Sequence, residues 1–365
     1  MKIKDIINVL ENTASPSLQE SYDNAGLLTG NEQHECTGVL CSLDATEAVV
    51  DEAIDRNCNL IAAHHPIIFK GLKRITGKNY VERTIIKAIK NDIAVYGIHT
   101  NLDNIITGVN GRMADRLGLV NRTLLLPKTA TLKKLFTFVP VEHAQNLRTV
   151  LFNAGAGHIG NYSQCSFNTE GSGTFKGEEG THPFTGVTGE LHYEKEIKIE
   201  VIFPAWLEQK IIQALIAAHP YEEPAYDLVQ LENKHQYTGS GLTGSLQQPM
   251  EEKTFLAFLK ESFQVPLIRH TQLTGSPIQK VCLCGGAGSF LISNALRAKA
   301  DVFISADIKY HEFFDADNQM IIADIGHFES ERYTIDLLHD ILLEKFPTFA
   351  VLKTAVNTNP VFYYA

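Results

Sequence analysis

No apolar run in this 365-residue chain approaches the roughly 20 residues that a membrane-spanning helix needs. The start, Met1-Lys-Ile-Lys-Asp-Ile-Ile-Asn8, is amphipathic and has neither the apolar core nor the small-residue cleavage site of a signal peptide. A cytoplasmic protein without a membrane partner is therefore expected. Excess positive charge is missing as well: the formal net charge is −10. That argues against a nucleic-acid partner, because broad binding to a phosphate backbone needs a basic surface. Paired cysteines are scarce. Of the six, at 36, 41, 58, 165, 282 and 284, only Cys282 and Cys284 are close. No second pair completes a zinc-knuckle spacing, so reduced thiols in a core are expected. With 44% hydrophobic and 20% charged residues, an ordinary globular protein remains.

Within that frame the histidines are informative. His64 and His65 end the apolar run Asn59-Leu-Ile-Ala-Ala-His-His-Pro66. Neighbours in a strand point to opposite faces. Both imidazoles face one site only where the strand breaks, and Pro66 favours the break by keeping His65 out of the helical region. Such a pair suits metal ligation, since neutral imidazole is the commonest metal ligand. Partners follow other predicted strands. Ile93 to Ile98 leads into His99-Thr-Asn-Leu-Asp103, and Met320 to Asp324 leads into Ile325-Gly-His327-Phe-Glu-Ser-Glu331. His327 and Glu331, four apart at the start of a predicted helix, share one face.

Each candidate thus follows the carboxyl end of a predicted parallel strand, the edge where open α/β sheets bind ligands. His64, His65, Asp103, His327 and Glu331 exceed the three or four protein ligands of a single zinc ion. They suit two divalent ions bridged by a carboxylate, and imidazole with carboxylate fits Zn, Mn, Fe, Co or Ni. Asp307 and His311, four apart after another strand, are candidates either for supporting the metal ligands from behind or for a general acid or base. His99 is expected to orient the loop before Asp103. Gly285, Gly286 and Gly288 form a possible phosphate loop at a helix N-terminus. That stretch lacks the Lys of a P-loop and the third glycine of a dinucleotide fingerprint.

Tyr22-Asp-Asn-Ala-Gly-Leu27, Ala63-His-His-Pro66, Ile98-His-Thr-Asn-Leu-Asp103, Ser305-Ala-Asp-Ile-Lys-Tyr-His311 and Gly326-His-Phe-Glu-Ser-Glu331 occur in the order seen in a known family. Through them the chain resembles the Nif-three-like proteins, which carry the name GTP cyclohydrolase I type two homologue. The resemblance implies a dinuclear metal site on His64, His65, Asp103, His327 and Glu331, a hexameric toroid and a cytoplasmic home. It places Tyr22, Asp23 and Asn24 at the site rim. A metal-dependent hydrolase acting on a small nucleotide or other phosphorylated molecule is the expected function. The alternative is a non-enzymatic metal-binding scaffold, metal chaperone or regulatory ring.

The expected fold is α/β, with a discontinuous core of two similar halves, 1–127 and 237–365, each built from parallel βαβ units. In the first, Asp44 with Glu47 resembles a capping box for a helix from Ala45. Residues 128–236 form a different module with an internal offset of 64, in which Pro140 aligns with Pro204 and Leu147 with Ile211. Each copy reads strand, Pro, helix, strand, giving an inserted ferredoxin-like α+β domain. Thr169 to Gly186 is expected to be a long loop. His219-Pro-Tyr-Glu-Glu-Pro-Ala-Tyr-Asp227 resembles the small trimeric CutA-like and PII-like proteins. The homo-oligomer is therefore expected to be a hexamer, as a dimer of trimers or a trimer of dimers.

Overall fold

A computed structural model describes residues 1–364. The fold is mixed α/β with three sheets. The chain divides into two compact units, one made of 1–127 with 237 onward, the other of 128–236.

The first unit holds two sheets. In the five-stranded sheet the order is Gly26–Thr29, Ala94–Gly97, Leu60–Ala63, Val39–Ser42 and Val351–Lys353. All neighbours are parallel except Gly26–Thr29, which runs antiparallel at the edge. The three central strands are buried at every position, which is why they read as unbroken apolar runs. Helices Glu47–Asp55 and Tyr80–Lys90 cover one face through Val49, Val50, Ala53, Ile85 and Ala88. The six-stranded sheet runs Arg269–His270, Ile321–Asp324, Val302–Ala306, Ile278–Ala287, Gly239–Met250 and Val120–Pro127. Only its Ile278, Val302 and Ile321 strands pair in parallel. Phe255, Leu259 and Phe263 of helix Glu252–Phe263 pack on it, all fully buried.

The sheets do not coincide with the two sequence halves. Val120–Pro127 pairs with Gly239–Met250 in the six-stranded sheet, and Val351–Lys353 pairs with Val39–Ser42 in the five-stranded one. Each segment donates an edge strand to the other's sheet. Helix Thr334–Lys345 carries the chain from strand Ile321–Asp324 of the six-stranded sheet to Val351–Lys353 of the five-stranded one.

In the second unit, strands Leu132–Pro140, Phe167–Lys176, Leu191–Pro204 and Tyr226–Leu231 form one antiparallel sheet. Helices Ala144–Ala154 and Glu208–Ala218 bury Leu147, Leu151, Ile211 and Leu215 against it. The β-α-β-β-α-β order keeps the offset of 64 between the helices. The expected loop from Thr169 is instead a strand, paired residue by residue from Phe167↔Glu200 to Lys176↔Leu191. Its glycines allow close approach there: a Cβ on Gly173 would lie 2.1 Å from Glu196. The loop begins only after Lys176.

Pro127 and Gly239 are register partners, so the two ends of the first unit meet in one ladder where the second unit is inserted. Replacing 128–236 by a short Gly/Ser linker is expected to leave a folded protein with a cooperative thermal transition by circular dichroism. A molten product without a transition would show that the first unit cannot close alone.

Candidate metal centre

His64 is wholly buried at the end of strand Leu60–Ala63. Its Nδ1 donates to the carbonyl of Ile98 at 2.8 Å, which leaves Nε2 as a lone pair. Among the described residues that Nε2 has no hydrogen-bond partner, and neither has the buried Asp103 Oδ1, 3.6 Å away. Two facing acceptors, both shut off from water, are what a cation between them would satisfy. Burial pushes the His64 pKa down to about 3, helped by neighbouring His65 and His99 and opposed by Glu331, so the ring is neutral.

Glu331 is the hub. Its side chain is 3% exposed. Its Oε2 lies 2.9 Å from His65 Nε2 and 3.0 Å from His327 Nε2, while Oε1 is 3.9 Å from His64 Nε2. Burial alone would raise this carboxyl, yet His327 and His65 hold it well below the ordinary value. The helix that carries the His327/Glu331 pair is only His327–Glu331; Thr334–Lys345 is a separate helix. Asp103 takes the opposite course: burial and the Glu331 charge push it well above the carboxylate range.

Carboxylates behind the rings fix their orientation, as outer partners of metal-ligating imidazoles do. Asp44 Oδ1 accepts from His65 Nδ1 at 2.8 Å and Asp307 Oδ2 from His327 Nδ1 at 2.7 Å. Burial disfavours charging both imidazoles, but these acids and Glu331 prevail, raising His65 to about 9 and His327 to about 11. Three sets of side chains bring ligand atoms within 4.8 Å of one another: His64, His65, His99; His65, His327, Glu331; and His64, Asp103, Glu331.

The structure thus brings His64, His65, Asp103, His327 and Glu331 together and adds His99. His99 donates from Nδ1 to Asp23 at 2.7 Å, and Thr100 binds the same carboxylate. Burial works against the Asp23 charge, but His99 and Thr100 hold its pKa far below the ordinary value. Asp23 therefore supports His99 from behind, whereas Tyr22 lies exposed beside Phe69 at the rim, and Asn24 donates to the Ile68 carbonyl.

Three expectations fail. His311 is not at the cluster: it is exposed and packs against Tyr310 and Phe314. The amides of Gly285, Gly286 and Gly288 are taken by Asn110, Ser330 and Ser305, so they present nothing to a phosphate. Gly286 has φ +62 and a Cβ there would meet Glu331 Oε1 at 2.3 Å, so the glycine makes room for the hub. Asp44 does not cap the helix; Thr46 does, accepting from Val49. Asp44 follows strand Val39–Ser42 at the same sheet edge as the ligands, and that position was the signal available in the sequence.

A cleft of about 380 Å³ opens over the cluster, lined by His65, His99, Asp103, His327 and Glu331 with Tyr22, Phe69 and Phe290 toward the outside.

The raised pKa values of His65 and His327 make the metal-free fold sensitive to alkali. A group that titrates higher when folded stabilises fully below its unfolded pKa, here 6.5, and that stabilisation is lost as pH rises through the folded values of about 9 and about 11. Chelator-treated protein is expected to lose stability from pH 7 to pH 10 in urea titrations. Asp307→Asn should flatten that slope, because it removes one of the groups that raise His327. Equal slopes in both proteins would show that the His327 pair contributes nothing.

The family profile of Duf34/NIF3 (NGG1p interacting factor 3) matches residues 1–360. A GTP cyclohydrolase 1 type 2 homolog of Halalkalibacterium halodurans is 42% identical over 360 residues, covering 97% of each chain. Its Bacillus subtilis counterpart is 40% identical over 329 residues, covering 89% of this chain and 88% of that one. Among solved structures, a Bacillus cereus protein related to NIF3 superimposes with a TM-score of 0.88 at 38% identity, covering 100% of this chain and 99% of that one. The motifs around the cluster, the whole-chain profile and these relatives agree: the chain belongs to the DUF34/NIF3 family.

Proposed function

We propose that this protein is a metal-dependent hydrolase whose centre takes two divalent ions, one on His65, His327 and Glu331, the other on His64, Asp103 and Glu331. The observation that carries this reading is that two ligand sets share Glu331 and no other residue. The orphaned His64 Nε2 and Asp103 Oδ1 fit it, since each lacks a partner that a cation would supply. Bound there, the ions would polarise a substrate oxygen and lower the pKa of water.

The chain's own groups then divide the work. Asp44 and Asp307 keep Nε2 of His65 and His327 aimed at Glu331. His99, tied to Asp23 through Nδ1, has a ring nitrogen within 4.8 Å of the His64 and His65 ligand atoms and is the candidate for moving a proton. Asp307 serves His327 and is a positioning residue. The cleft volume suits a small molecule. Tyr22 and Phe69, with ring centroids 6.3 Å apart, offer a wall for a planar ring. Among the described residues the lining contains no lysine or arginine, so any phosphate has to meet the metals or project into solvent. A small nucleotide, as in a GTP cyclohydrolase type of reaction, is the substrate class this combination supports.

Native protein purified without added metal is expected to hold close to two equivalents of divalent metal by elemental analysis, and Glu331→Gln to lose more than one of them. Saturation at one equivalent under metal excess would refute the paired site. A screen of nucleotides and other phosphoesters with the loaded protein tests the hydrolase. A fully loaded protein inert on all of them would leave a metal-binding scaffold.

The assembly proposed with this function is a hexamer. The second unit exposes strand Phe167–Lys176 at one sheet edge and Tyr226–Leu231 at the other. Unpaired edges are templates for another copy, and a PII-like or CutA-like trimer would cover them. Light scattering is expected to give about 240 kDa, six copies of the 40.5 kDa chain in closed symmetry. A monomer at micromolar concentration would rule this assembly out.

A further inference from the structure

The second unit contains a cavity with a chemistry of its own. Its sheet has one face under the two helices, where Leu135, Val139, Ile197, Ile199 and Val201 are buried. Phe138, Glu196 and Lys198 alternate with those residues and so lie on the other face. The loop after Lys176 and the turn around Tyr221 border that face, forming a half-open cavity of about 610 Å³. Aromatic rings form the walls. Phe175 and Phe184 lie 5.8 and 6.3 Å from Tyr221 between ring centroids.

One carboxylate sits among them. Glu196 is 8% exposed, and its Oε1 accepts from the Tyr221 hydroxyl at 2.8 Å. Burial and this carboxylate hold the phenol well above its ordinary pKa, so Tyr221 stays a neutral donor. Gly173 makes the space: any larger residue would place its Cβ 2.1 Å from Glu196 Oε2. Among the described residues the hydrogen bond found for this carboxylate is the one through Oε1; Oε2 lies over Gly173, which lines the cavity together with Glu196. Glu170, Glu222 and Glu223 add negative charge to the lining. Glu222 also holds the loop down, accepting from the amide of His182 at 3.0 Å. Among the described residues Lys198 is the one basic side chain in the lining, and Glu200 already engages it at 3.0 Å.

We infer that this cavity is a binding site for a small organic cation, an amine or ammonium group attached to an apolar body. The ammonium meets Glu196 Oε2 and the faces of the aromatic rings, and the apolar body fills the space between Phe175 and Phe184. A divalent metal ion is not the occupant, because among the described residues every three-ligand cluster lies in the first unit. An anion is disfavoured by the surplus of carboxylates.

The test uses the full chain and three isosteres: benzylamine, benzyl alcohol and benzoate. Calorimetric titration is expected to show saturable binding of benzylamine at one per chain, with the alcohol and the acid weaker by about tenfold or more. Glu196→Gln is expected to remove the preference for benzylamine while leaving binding of benzyl alcohol unchanged. That comparison separates loss of charge from loss of fold. Phe184→Ala should weaken benzylamine and benzyl alcohol together. The inference is overturned if benzylamine binds no more tightly than benzyl alcohol, if it fails to bind at all, or if Glu196→Gln keeps the preference. Metal content is read in the same samples and should not change, so this result is independent of the centre in the first unit.

Discussion

The structure around the centre depends on one buried carboxylate. Glu331 is shielded from water and yet remains ionised, because His65 and His327 both turn Nε2 onto the same oxygen. Isolating such a charge in a protein interior costs far more than a fold can spare, so it persists only with partners in place. Those partners come from opposite ends of the sequence. His65 follows a strand of the five-stranded sheet, and Glu331 follows a strand of the six-stranded one. The centre therefore ties the two sheets together, and the edge strands they exchange do the same through backbone pairing.

The cluster also separates protonation states over a few ångströms. His64 donates to a backbone carbonyl, has no carboxylate at Nδ1, and is neutral. His65 and His327 each have an acid behind the ring and another in front, and are charged without metal. On the proposed reading, the protons on their Nε2 atoms occupy the positions of incoming cations, and metal binding releases them. The neutral His64 and Asp103, whose carboxyl is pushed upward by burial and by the Glu331 charge, form a second half-site with a different electrostatic balance. Loading is thus expected to be unequal between the two halves, with pH acting mainly on the His65 and His327 side.

Much of this was legible in the sequence. Strand ends could be read from short apolar runs, and the rule that ligands gather at the carboxyl edge of parallel strands selected His64, His65, Asp103, His327 and Glu331 as candidates. What failed were readings based on local pattern alone. Asp44 with Glu47 has the spacing of a capping box, but the acid is drawn to a charged imidazole 21 residues away and Thr46 takes the cap. Asp307 and His311 have the spacing of a helical pair, but a short 3-10 helix over Tyr310–Ala316 turns His311 outward while Asp307 reaches His327. Gly285 to Gly288 look like a phosphate cradle until the side chains that fill their amides are known, and those come from 17 to 175 residues away. Long-range partners decide such positions, and a local window does not contain them.

The glycines show how far that constraint extends. In the first unit Gly286 gives Glu331 its space, and in the second Gly173 gives Glu196 its space. Both positions stand where a buried acid approaches a strand, and in neither would alanine fit beside the carboxylate as it lies. The two acids differ in their company. Glu331 is surrounded by imidazoles and a second carboxylate, the donor set of a metal centre. Glu196 is surrounded by aromatic rings and a phenol, which cannot satisfy an inorganic cation but do favour an organic one. The same local device, a glycine opposite a buried glutamate, thus supports two different chemistries, and the neighbouring side chains determine which.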